Sequence, residues 1–416
     1  MINAAIIAIG DELLIGETIN TNSAWLGKEL TALGISVNSS IIISDNQDSI
    51  INSISQLSEV NDIIITTGGL GPTKDDITKK AISTFFGVEL REDDSTRLHL
   101  IDYLTSRGRE ITDIHFEQAL LPSCSSALSN SVGTAPGIYT IKNNKLYFNL
   151  PGVPREMKSI FEENIVAIIN DYKSNIKDDY FVYKTIYTTG IVESEIAKRI
   201  SYLDDKNETI KFAYLPSYSG VRLRLGVLNS ELKANNNLIK DLEKTIYNHL
   251  DSHIIKEEKP ILEAFQEYFL KNNWTISVAE SCTGGGLGSL LTELSGSSKI
   301  LEGGFIVYSN KAKKELLNVK ESTLAEFGAV SEETAIELAY NCRLKMKTDF
   351  AISITGIAGP NGGTDEKPVG TVWIGISDMK ETKATKFVFL KNREANRELS
   401  KYTALSMLYR KLKYNI

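Results

Sequence analysis

The sequence predicts an α/β protein in three parts, and three observations carry that prediction. Short apolar runs rich in β-branched residues alternate with helically spaced segments through residues 1–171 and again through 257–416, the pattern of crossover units around a mostly parallel sheet. Between them, residues 172–256 read β-α-β-β-α, the outline of a small α+β domain. Glycine-rich loops follow several of the strand-like runs, and open α/β sheets bind ligands beyond the carboxyl ends of their strands.

In the first part, 4–9 is a continuous apolar strand, 22–33 a helix spaced by Trp25, Leu26, Leu30 and Leu33, 36–43 a strand, 49–57 a helix and 62–66 a buried strand. Thr67-Gly68-Gly69-Leu70-Gly71-Pro72-Thr73-Lys74-Asp75-Asp76 then leads into a helix through Phe86. In the middle part, 180–188, 210–215 and 221–227 are strands, with helices over 193–203 and 238–250. That outline resembles RNA-binding folds such as KH, but it lacks a Gly-x-x-Gly loop between paired helices and stacking aromatics in register. It reads as a spacer or dimerisation domain. Glu257-Glu258-Lys259-Pro260 is a linker, with Pro260 suited to the first turn of a helix over 261–271. Strand 274–278, helix 286–294, strand 304–308 and helix 311–317 follow. Ser331 caps a helix through Met346, with Glu332 and Glu333 at its positive end. Strand 351–354, antiparallel strands 370–376 and 385–390, and a helix over 393–412 complete the chain.

With 416 residues, 42% hydrophobic and 24% charged, the chain can bury more than one core. A net charge of −7 gives no electrostatic footprint for nucleic acid. No apolar run reaches membrane-span length, and the apolar start is too short for a secretory signal, so the expected location is the cytoplasm. Three scattered cysteines and four histidines carry neither a disulfide framework nor zinc spacing.

Two loops in the last part are the most informative, Ala279-Glu280-Ser281-Cys282-Thr283-Gly284-Gly285-Gly286 and Thr355-Gly356-Ile357-Ala358-Gly359-Pro360-Asn361-Gly362-Gly363-Thr364. Glycine admits close backbone approach to a ligand, and a helix starting behind such a loop favours anions. One loop of this kind reads as a tight turn. Two, with Tyr308-Ser309-Asn310 at a strand end between them, point to a small-molecule site.

These segments carry a family resemblance over essentially the whole chain. Gly10-Asp11-Glu12-Leu13-Leu14, the loop from Gly68 to Asp76, Gly133-Thr134-Ala135-Pro136-Gly137, Leu150-Pro151-Gly152-Val153-Pro154-Arg155-Glu156-Met157, the two loops above, Tyr308-Ser309-Asn310 with Lys313, and Lys367-Pro368-Val369-Gly370 resemble the CinA competence/damage-inducible family. The resemblance implies a MoaB/MogA-like three-layer first domain (1–171) with metal-dependent ADP-ribose pyrophosphatase activity. It further implies a KH-like middle domain (172–256), a last domain (257–416) similar to nicotinamide mononucleotide (NMN) deamidase, and a homodimer. Gly190-Ile191-Val192-Glu193-Ser194 departs from the family pattern, with Val192 where a glycine is usual.

Amide cleavage needs a nucleophile, a base, oxyanion donors and an acid for the leaving nitrogen. Ser281 supplies a hydroxyl; with no histidine nearby, the base is Lys313 or Tyr308, and the resemblance to Ser-Lys hydrolases points to the same positions. Thr283, Gly284 and Gly285, with the N–H groups from Cys282 onward, suit oxyanion binding at the opening of a helix. Thr355, Gly359, Gly362, Gly363 and Thr364 suit a phosphate cradle, and Arg393 and Arg397, one turn apart, suit phosphate as well. The plainer uses are an N-cap for Ser281, a solvated face for Lys313 beside Lys311 and Lys314, and surface charge for the arginines. Cys282 lacks a partner base and ranks below the serine.

In the first domain, Gly68, Gly69, Gly71, Thr73 and Lys74 suit phosphate binding, and Asp11, Asp75 and Asp76 suit a divalent cation (Mg, Mn or Co). Helix capping explains one of the adjacent aspartates equally well. The amidase needs no cofactor. The expected partners are small nucleotides, NMN and ADP-ribose, with neither nucleic acid nor membrane. A non-enzymatic competence factor or a molybdopterin-like ligand-binding protein is the alternative.

Overall fold

The computed structural model describes residues 2–73, 76–174, 180–206, 209–229, 232–389 and 391–416. It divides into two compact units, Met1–Tyr183 with Leu228–Asn236, and Lys184–Val227 with Asn237–Ile416. No helix among the described residues is long and apolar enough to cross a membrane.

Alternation within the strand Asn3–Ile9 sets the layers of the first unit. Ala4 and Ile6 face Leu26, Leu30, Met157, Ile160 and Phe161 on one side; Ala5, Ile7 and Ile9 face Ile50, Ile54, Ala81, Ile82 and Phe86 on the other. Successive side chains of a strand point to opposite faces, so a continuous apolar run demands a helix layer on each. The sheet runs in the order Ser36–Ile43, Asn3–Ile9, Ile63–Thr67, Lys145–Leu150, Gly137–Lys142, Ser126–Leu128. The first four strands are parallel, and the last two pair antiparallel. The sheet is therefore mostly parallel, as expected, with two antiparallel strands added at one edge. The physical cause is the turn Asn143-Asn144, whose φ angles of 53° and 58° make a two-residue hairpin that only antiparallel strands can use.

The middle segment forms a three-stranded sheet ordered Ile210–Ser217, Gly220–Asn229, Tyr180–Tyr187, with helices Glu193–Ile200 and Leu232–Leu250. Val192 caps the first of these in an extended conformation, φ −91° and ψ 157°, which a β-branched residue adopts freely.

The last segment is a five-stranded sheet ordered Leu301–Ile306, Ile276–Glu280, Phe350–Gly356, Thr371–Ser377, Thr382–Val388. The first three strands are parallel, and the remaining pairings are antiparallel. Ile276, Val278, Ile352 and Ile354 pack on Phe265, Phe269, Leu287, Leu405 and Leu408; Ala279 and Ala351 face Leu317, Leu338 and Cys342. The strand expected at 274–278 starts at Ile276, because Trp274 packs on Phe269 and Phe350 and Thr275 bonds Asp349. The strand expected at 304–308 is Leu301–Ile306, so Tyr308 stands beyond it, in the short connection to the helix Asn310–Leu317. Ser331 accepts the Thr334 N–H as an N-cap, as expected, and Pro260 is the N-cap of the helix Ile261–Asn272, one position before its first turn. Part of the expected strand at 385–390, Leu390, lies outside the described residues.

Candidate active site

Three parallel strands of the last sheet end at one edge, which brings Ser281, Lys313 and the loop from Thr355 onward together. Ser281 follows the central strand Ile276–Glu280, and its N–H donates to Ile354 O at 2.9 Å on the neighbouring strand. Lys313 lies on the helix Asn310–Leu317, which starts after the Ser309 side chain accepts the Ala312 N–H. Its Nζ is 3.0 Å from Ser281 Oγ, 2.8 Å from Val307 O and 3.3 Å from Tyr308 O. Lys313 is 1% exposed and Ser281 8%. Burial lowers the lysine to a pKa of about 8, as desolvation disfavours the ammonium form. Lys313 is thus no part of a solvated face.

Lys313 Nζ donates to Ser281 Oγ and to the two carbonyls. In the neutral amine two N–H bonds serve the carbonyls, and the lone pair is then free to face the Ser281 hydroxyl proton. Tyr308 is 61% exposed and contributes its carbonyl to Lys313; its hydroxyl lies 3.5 Å from Arg393 Nη2. Cys282 is buried, and burial pushes its thiol up to about 12, which leaves it an inert neighbour.

Ser281 is not the cap of the following helix. That helix is Gly286–Leu291; Gly285 is its N-cap at φ 91°, where a Cβ would meet Ile306 Cδ1 at 3.0 Å. The capping acceptor is Glu280, 1% exposed, whose carboxylate accepts the N–H of Leu287 at 2.9 Å and of Gly288 at 2.8 Å. The positive end of the helix therefore already holds an anion. Gly284 N–H is also used, donating to Ser281 O. Among the described residues, the N–H groups of Thr283 and Gly285 make no backbone hydrogen bond, and the buried Thr283 hydroxyl has no partner.

Two arginines of the helix Arg393–Tyr414 close the site. Arg397 Nη2 donates to Thr283 O at 2.8 Å, and Arg393 Nη1 donates to Gly359 O at 2.9 Å. Arg397 Nε is buried without a partner. The Thr355 hydroxyl donates to Ala329 O at 2.7 Å and so ties the strand to its surroundings. Gly362, Gly363 and Thr364 lie in the exposed part of their loop, where Thr364 N–H donates to Lys367 O.

In the first unit, a cleft of about 460 Å³ opens at the carboxyl edge of its sheet. Gly68, Gly69, Gly71 and Asp76 line it with Glu12, Asp45, Gln118 and Glu156. Gly68 has φ 115°, and a Cβ there would stand 2.3 Å from Ile9 O, so only glycine lets this loop lie on the strand end. Asp76 accepts from the backbone N–H and hydroxyl of Thr73. Asp11 is exposed, and its N–H donates to Asp45 Oδ2 at 3.1 Å. Lys74 and Asp75 lie outside the described residues. Burial raises the Asp45 carboxyl, and the charges of Asp11, Glu12 and Asp76 add to that rise. Among the described residues no three metal-ligating side chains converge on one point. One or two carboxylates with phosphate oxygens and water suffice for a cation of the Mg²⁺ type, and the mutual repulsion here suits one.

Three family models cover the chain. Residues 258–412 match the CinA C-terminal domain, 183–255 the damage-inducible protein CinA KH domain, and 5–171 the model described as "Probable molybdopterin binding domain". The CinA-like protein of Flavobacterium psychrophilum is 39% identical over 419 residues, covering 99% of both chains. The chain belongs to the CinA family. The CinA-like protein of Cytophaga hutchinsonii is 37% identical over 414 residues, covering 99% of this chain and 98% of its own. A solved structure from Thermoplasma acidophilum, the protein CinA with unknown function, is 34% identical, covers 41% of this chain and 97% of its own, and has a TM-score of 0.37.

Five side chains of this CinA-family chain escape sequence reasoning: Glu280 as the cap, and Glu12, Asp45, Gln118 and Glu156 in the cleft. Asp45 had a readable signal, standing just past the strand Ser36–Ile43 at the same sheet edge as Asp11. Gln118 had none.

Proposed function

We propose that the last domain hydrolyses the carboxamide of NMN to nicotinate mononucleotide and ammonia, as a Ser-Lys amidase. The observation that carries this reading is the 3.0 Å approach of Lys313 Nζ to Ser281 Oγ in a buried setting. Ser281 Oγ attacks the carboxamide carbon as its proton passes to Lys313 Nζ. The tetrahedral oxyanion takes the free N–H groups of Thr283 and Gly285. Lys313 then returns its proton to the leaving nitrogen, the C–N bond breaks and ammonia departs, leaving a nicotinoyl ester on Ser281. The neutral amine next deprotonates a water that attacks the ester, which releases the carboxylate and restores the serine. With a pKa of about 8, about a tenth of Lys313 is neutral at pH 7. Arg393 and Arg397 suit the 5′-phosphate, for the helix end behind Ser281 is taken by Glu280.

The first domain is proposed as a divalent-metal-dependent ADP-ribose pyrophosphatase. One or two of the cleft carboxylates Glu12, Asp45 and Asp76 would hold the cation together with phosphate oxygens and water, and it would supply neutralisation of the diphosphate charge when bound. Incubating the purified protein with NMN and ADP-ribose separately, with and without chelator, tests both halves. Ammonia release that survives chelation and AMP formation that does not are expected. Absence of ammonia from NMN overturns the amidase reading; absence of AMP under every divalent cation overturns the pyrophosphatase reading.

A further inference from the structure

The cleft of the first unit combines two chemistries. Glu12, Asp45 and Asp76 make part of its lining acidic, whereas Leu70 and Ala135 belong to an apolar cluster with Leu121 and Ile138. Gln118 enters the cleft from the turn Glu117–Ala119, which leads into Leu121. This side chain is 2% exposed, and its Oε1 has no hydrogen-bond partner among the described residues. An unpaired buried amide oxygen opposes folding, so its retention at the wall of a cavity points to a ligand that completes it. The turn is also held firmly. Buried Lys79 donates from Nζ to Glu117 O at 2.6 Å, and Asp93 N–H donates to Ala119 O at 2.9 Å.

We propose that Gln118 reads the base of a nucleotide held in this cleft. A carboxamide presents a donor and an acceptor side by side, which matches a purine edge bearing an amino group next to a ring nitrogen. Leu70 and Ala135 offer the ring apolar flanks, and the carboxylates take the cation and phosphate end. The inference rests on the pyrophosphatase reading for what the acidic part holds.

Calorimetric titration of the full chain with the α,β-methylene analogues of ADP-ribose and of inosine diphosphate ribose, with Mg²⁺, tests it without turnover. The edge proposed for Gln118 to read is the N6 amino group with N7 of adenine, where hypoxanthine instead offers two acceptors, O6 and N7, that neither orientation of the amide satisfies. The adenine ligand is expected to bind about tenfold or more tightly than the hypoxanthine one. Gln118→Leu brings the two within about twofold by weakening the adenine ligand, and Gln118→Glu, which keeps the shape but loses the donor, weakens it as well. Thermal melts check that each variant folds; if the leucine variant does not, the wild-type ratio and the glutamate variant decide. Equal affinities in the wild type, or a preference that survives substitution, overturn the inference. Base preference without cleavage of ADP-ribose would fail the hydrolase reading and leave Gln118 standing; cleavage without base preference would do the reverse. Binding of neither analogue overturns both.

Discussion

The Ser281–Lys313 pair and the acidic cleft use burial in opposite ways. Around Lys313, burial makes a charge easier to lose, and the fold already surrounds Nζ with two carbonyls and a hydroxyl. Around Asp45, burial crowds like charges, and Gln118 beside them lacks a partner. One set of polar groups is paired by the fold itself; the other keeps a buried amide oxygen without a partner among the described residues. Desolvation of a titratable group shifts it toward its neutral form in both places, but only Lys313 has a full set of hydrogen-bond partners within the fold.

Ser281→Ala breaks the comparison most sharply. Ammonia release from NMN is expected to fall by roughly 10⁴-fold or more, since the nucleophile acts in a unit with its base, while AMP formation from ADP-ribose stays at the wild-type level. Next comes Lys313→Met, which should cost roughly 10³-fold in the same ammonia assay, within the range for loss of a general base. The wild-type pH profile sharpens that point. The working form of Lys313 is the deprotonated amine, so kcat/KM rises with pH and levels off above about 8; a profile flat between pH 6 and 9 would contradict the role. On the other side, Asp45→Asn lowers AMP formation by roughly 10²-fold through weaker cation binding, partly restored by raising the divalent cation concentration, and leaves NMN hydrolysis unchanged. The smallest effect is Glu280→Gln. Losing one of its two charge-assisted hydrogen bonds to the helix end costs about 1–3 kcal/mol of stability in a denaturant titration.

Much of the fold was legible in the chain. The apolar alternation of Ala4 to Ile9 announced a two-faced strand, and Ser331 with its following glutamates announced a helix start, because both signals lie within a few residues of what they specify. The hairpin at Asn143-Asn144 shows the limit: two asparagines at positive φ reverse the chain and add two antiparallel strands to a parallel sheet, yet no apolar period reports it. The site was legible as a list of residue types. Ser281, Lys313, Arg393 and Arg397 were candidates, but their surface alternatives were equally consistent with spacing.

By itself the sequence determined the strand and helix alternation, the helix start at Ser331, the glycine loops at strand ends and the membership of the family, all of which reside in short-range pattern or motif. Tertiary structure decided which lysine is buried beside the serine, which glutamate caps the serine's helix and which amide lines a cavity. Ser281 and Lys313 stand 32 residues apart and meet only because two parallel strands end side by side. The pKa of that lysine follows from water excluded by the packed chain around it, and no local pattern of residues encodes such desolvation.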